Sequence, residues 1–99
     1  MKKQDFLAKL QNKQTKFADL VWFARSYRED IKDDRSSMPN MIRIQMALTE
    51  DVENIMGDDG DWHHGFNSGC LAAFRYALAL LGSKEEAAAA EEDFPFLDT

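Results

Sequence analysis

The sequence carries a single cysteine, Cys70. No disulfide can close within one copy of the chain, and a reducing, cytoplasmic setting is the expectation. Proline is nearly missing, with Pro39 and Pro95 alone, so long stretches are free to run as unbroken helix. No run approaches the roughly 18 apolar residues of a membrane span. The opening Met1-Lys2-Lys3-Gln4-Asp5 turns polar at once and does not read as a secretory leader. Positive charge is also in deficit: 18 Asp and Glu face 12 Lys and Arg, a formal net charge of −6. A net negative chain repels phosphate, which excludes nucleic acid and anionic membrane surfaces as expected partners. There is no strand-like alternation, no internal repeat, no Ser/His/Asp arrangement and no Gly-rich phosphate loop, so neither nucleophilic catalysis nor a bound cofactor is expected.

What is present is apolar residues at helical spacing. The hydrophobic content of 44% excludes a disordered chain, and the length suits one domain. The first helix is expected from about residue 4 to 33, where no Gly or Pro interrupts. At 100° per residue, Phe6, Leu10, Phe17, Leu20, Val21, Ala24, Tyr27 and Ile31 form one stripe. Trp22 and Phe23 fall well outside it. A second helix is expected over 39–56, opened by a Ser37 cap and closed by Gly57 in the left-handed conformation. Its stripe is Met41, Ile44, Leu48, Val52 and Ile55, with Ile42 and Met46 on another face. The third helix is expected from about 61 to 81, with Asp61 as N-cap. Trp62, Phe66, Cys70, Ala73, Phe74, Ala77, Leu78 and Leu81 should face the core there. Gly65 and Gly69 lie on a neighbouring strip, where close approach of another helix would offset their low helix propensity. Ser83-Lys84-Glu85-Glu86 has the form of a capping box and opens a short fourth helix. The expected architecture is therefore all-α: three principal helices, a short fourth and an extended tail, as a dimeric helical bundle. Residues 1–93 form the domain and 94–99 the tail.

Trp22, Phe23, Ile42 and Met46 are surplus to the stripes of their own helices, and a second copy of the chain is the simplest cover. The tail residues Phe94, Phe96 and Leu97 are expected to dock, either on the chain's own helices or across to that second copy. The resulting expectation is a non-catalytic, homodimeric protein-interaction module that recruits a partner protein.

Two patterns point elsewhere. The loop acids Asp58, Asp59 and Asp61, followed by His63 and His64, are the densest set of potential metal ligands, with Glu50 and Glu53 on the preceding helix as separate candidates, although the loop's spacing fits neither a calcium loop nor a zinc protease motif. Acids before a helix also serve its dipole without any metal. Glu50-x-x-Glu53 resembles half of the magnesium signature of the all-α MazG-like nucleotide pyrophosphohydrolases. That resemblance implies a metal-dependent phosphohydrolase, but the acidic pair it requires on the following helix is absent between Trp62 and Leu81. Glu91-Glu92-Asp93 followed by Phe94-Pro95-Phe96 resembles the acidic tip of bacterial single-stranded-DNA-binding proteins, which implies partner recruitment through the tail. In those tips the Phe ends the chain, whereas Leu97-Asp98-Thr99 follow here.

Overall fold

The computed structural model describes residues 2–28 and 38–93. Five α-helices account for nearly all of them: α1 (Lys3–Arg28), α2 (Met38–Ala47), α3 (Thr49–Met56), α4 (Gly60–Leu80) and α5 (Lys84–Asp93). No strand occurs among the described residues, so the chain is all-α. The expected end of the first helix with Ile31, the Ser37 cap and the tail residues Phe94, Phe96 and Leu97 lie outside the described residues. The chain resolves into two compact units, one of residues 19–67 and one joining 1–18 to 68–99.

In the 19–67 unit the buried apolar residues are Leu20, Val21, Phe23 and Ala24 of α1, Ile44 of α2, and Val52 and Ile55 of α3. The stripe expected across 41–55 holds, with Met41 and Leu48 half-buried between the three buried members. The stripe expected on α1 needs correction. Phe23 keeps only 2% of its surface, Ser26 is buried as well, and Tyr27 is exposed. Leu20, Val21, Phe23, Ala24 and Ser26 span most of the helix circumference. The buried arc of this stretch is therefore wider than a single amphipathic stripe, with Arg25 left exposed and Trp22 half-buried. The Phe23 and Tyr27 rings stack at 6.3 Å between centroids.

The single helix expected over 39–56 is broken at Leu48, whose φ of −129° and ψ of 47° leave the helical region. Thr49 supplies the cause. Its hydroxyl donates to the Gln45 carbonyl at 3.0 Å, competing for an acceptor of the backbone ladder, a bond known to bend helices. The ladder resumes at once, with the Val52 amide on the Leu48 carbonyl. Gly57 is also not the left-handed cap expected of it: its φ is −84° and its ψ −173°, extended backbone open to any residue. The Gly60 amide closes the turn onto the Gly57 carbonyl. Because α4 starts at Gly60, Asp61 stands inside the first turn instead of capping it.

In the other unit Phe17 of α1 stacks on Phe74 of α4 at 5.7 Å and 13°, while among its described residues only Leu71 and Ala72 are buried apolar ones. The cap of α5 is as expected: the Glu86 amide donates to Ser83 Oγ at 3.1 Å. The Tyr76 hydroxyl donates to the Glu91 carboxylate.

The core face expected of α4 holds only in part: Cys70, Phe74, Ala77 and Leu78 are half-buried. Trp62 and Phe66 are exposed, as are Ala73 and Leu81. Gly60, Asn67, Leu71 and Ala72 are buried instead. The inward positions of the first turns are small or polar, so ranking residues by hydrophobicity selects the outward side. The close helix approach expected at Gly65 and Gly69 is absent as well, because a Cβ at either position meets nothing within 4 Å. Gly65→Ala and Gly69→Ala should each stabilise the chain by about 0.5–1 kcal/mol through helix propensity. Urea melts of the two variants will give the sign; a loss at either position would mean that its face is occupied in solution.

Candidate functional site

The potential metal ligands do not converge. Glu50 and Glu53 lie exposed on α3, Asp58 and Asp59 in the turn after it, and Asp61 on the first turn of α4. His63 is half-buried with its ring edge-on to Trp62 at 5.1 Å. Among the described residues no group of three or more His, Cys, Asp or Glu is placed to hold an ion, whereas hard cations want six or more oxygens. Burial pushes the Cys70 thiol up, which disfavours the thiolate a nucleophile needs. A cavity of about 310 Å³ between α4 and α5 is lined by Arg75, Tyr76, Ala79, Glu86, Ala89 and Ala90. Within that lining the Tyr76 phenol is held above its usual pKa by its hydrogen bond to Glu91.

The open surface of the 19–67 unit is more informative. Met38, Ile42 and Met46 recur at four-residue steps on α2 and keep 50%, 51% and 77% of their surface. They form one outward stripe. Arg43 beside it pairs with Asp19 at 3.5 Å. At the start of α4, Trp62 and Phe66 stack with centroids 5.4 Å apart and planes within 9°, yet remain 65% and 53% exposed. Of the expected interface residues, Ile42 and Met46 are therefore open, Trp22 is half-buried and Phe23 is buried in a single copy. Pattern reading missed Met38, Trp62 and Phe66. The four-residue spacing from Met38 through Ile42 to Met46 could have revealed the first; nothing in the sequence marks Trp62 and Phe66 as outward.

Charge is unevenly placed. From residue 44 to 74 there is no Lys or Arg, while Glu50, Asp51, Glu53, Asp58, Asp59 and Asp61 contribute six acids. The net −6 of the chain thus resides in this stretch, and elsewhere twelve acids balance twelve bases. The largest basic excess lies at the other unit's start, where Lys2, Lys3, Lys9, Lys13 and Lys16 face Asp5 alone. Phe6, Lys9, Lys13 and Lys16 follow at i, i+3, i+7 and i+10 and so share one face of α1. Phe6, Lys9 and Lys13 are exposed, and the Lys16 ammonium lies 5.7 Å from the Phe17 ring centre.

Among the described residues no helix is long and apolar enough to cross a membrane. No family model, curated protein or solved structure matches this chain.

Proposed function

We propose that this chain is a non-catalytic protein-interaction module that works as a homodimer. The observation that carries the reading is the α2 stripe, with Met38, Ile42 and Met46 half or more exposed on successive turns. Large apolar side chains gathered on one helix face mark a surface that another protein covers. A two-fold axis lets the same stripe bury itself against its copy. Sedimentation equilibrium across micromolar concentrations tests the reading. Wild type should show a monomer–dimer equilibrium, and Ile42→Glu combined with Met46→Glu should shift it to monomer. Because both side chains point outward, folding stability of the monomer should change by less than about 0.5 kcal/mol per site. A wild-type chain that stays monomeric throughout the range would overturn the reading.

A further inference from the structure

Three α2 side chains meeting their copies bury on the order of 700 Å², short of the roughly 1,200 Å² of a stable interface. More surface has to join, and charge indicates which. We infer that the acidic, aromatic start of α4 on one copy receives the basic face of α1 from a second copy. The inference rests on the homodimer reading and names the surfaces that complete it.

The receiving side is the stacked Trp62–Phe66 pair, exposed and adjoining Asp58, Asp59 and Asp61. Aromatic faces with carboxylates beside them suit an ammonium on an aliphatic stem. The ring quadrupole attracts the cation, the carboxylates pair with it, and the methylenes cover the ring.

The entering side is exposed as well. Phe6 is 46% exposed, with Lys9 and Lys13 following on the same face of α1. It supplies an apolar ring and two flexible cations within about two helical turns. Other occupants fit less well. The chain's own tail follows Glu91-Glu92-Asp93 and carries Asp98, so it would bring acid to acid. The same α4 patch of a second copy would do likewise. A two-fold dimer accommodates the unlike pairing without leaving an open end: α1 of the first copy meets α4 of the second, and α4 of the first meets α1 of the second.

Charge exchange tests the pairing. Lys9→Glu with Lys13→Glu, and separately Asp58→Lys with Asp59→Lys, should each raise the dimer Kd about tenfold or more. Joining all four substitutions in one chain should bring it back to within about threefold of wild type, since the pairing is restored with its signs exchanged. Wild-type Kd should also rise about tenfold between roughly 50 and 500 mM NaCl as the charges are screened. Circular dichroism checks that each variant is folded. If a reversal unfolds the chain, Lys9→Gln with Lys13→Gln and Asp58→Asn with Asp59→Asn replace it, each weakening association and together no worse than either alone. Reversals that leave Kd unchanged, or losses that add instead of cancelling, overturn the pairing. Should Ile42→Glu with Met46→Glu still dissociate the dimer in that case, the homodimer reading stands without it. A wild-type monomer overturns both.

Discussion

Phe23→Ala should cost about 3–5 kcal/mol of folding stability, the range for emptying a buried aromatic site. That is a large share of the roughly 5–15 kcal/mol that holds a small domain folded. For a chain of this length the melting temperature should fall by well over 10 °C. The loss should be the same at every protein concentration, because Phe23 retains 2% of its surface in one copy. A destabilisation that grows with protein concentration and fades on dilution would instead place the ring between copies. Loss of the Tyr27 partner ring, stacked on it at 6.3 Å, belongs to the same penalty.

A second large effect distinguishes the two sides of α4. Leu71→Ala should destabilise by about 2–5 kcal/mol, since Leu71 is 1% exposed and its removal leaves a cavity. Trp62→Ala removes a far larger side chain but, measured at concentrations where the chain is monomeric, should cost under about 1 kcal/mol, mostly the lost stacking on Phe66. Chemical denaturation of the two variants decides the orientation of the helix. The reverse order would turn the Trp62–Phe66 face inward and remove the surface on which the α1–α4 pairing depends.

These two predictions fall where pattern and packing part company. The 41–55 stripe was legible because Ile44, Val52 and Ile55 alternate cleanly with charged and polar neighbours, and helical period alone places them on one side. Helical character was legible throughout, as was the Ser83 cap, which depends on a local hydrogen bond and on nothing distant. The face of α4 was legible only in part. Its buried side opens with Gly60 and continues through Asn67 to Leu71, and no transfer scale ranks that series above Trp62 and Phe66. Phe23 was misplaced for the opposite reason. Where the buried arc is wider than one amphipathic stripe, an apolar residue off the stripe carries no message about a partner. The break at Leu48 needed the Thr49 hydroxyl to be recognised as a competitor for the Gln45 carbonyl, which composition and periodicity do not register. Of the candidate interface, the sequence marked Ile42 and Met46 correctly as surplus to their own stripe. The cations of α1 were visible only as residues, because their common exposed face is a property of the folded helix.

Among the described residues the buried apolar ones are spread unevenly, seven in 19–67 and two, Leu71 and Ala72, in the unit that joins the chain's first and last segments. Resistance to local opening follows the apolar contacts that must be broken. Among the described residues, backbone amides of Lys3 to Ala18 and of α5 should therefore exchange through smaller openings than those of Leu20 to Ala24 and of α3. The first half of α1, with its lysines, thus contributes few buried contacts of its own, and a second copy that held it would contribute to folding as well as to assembly.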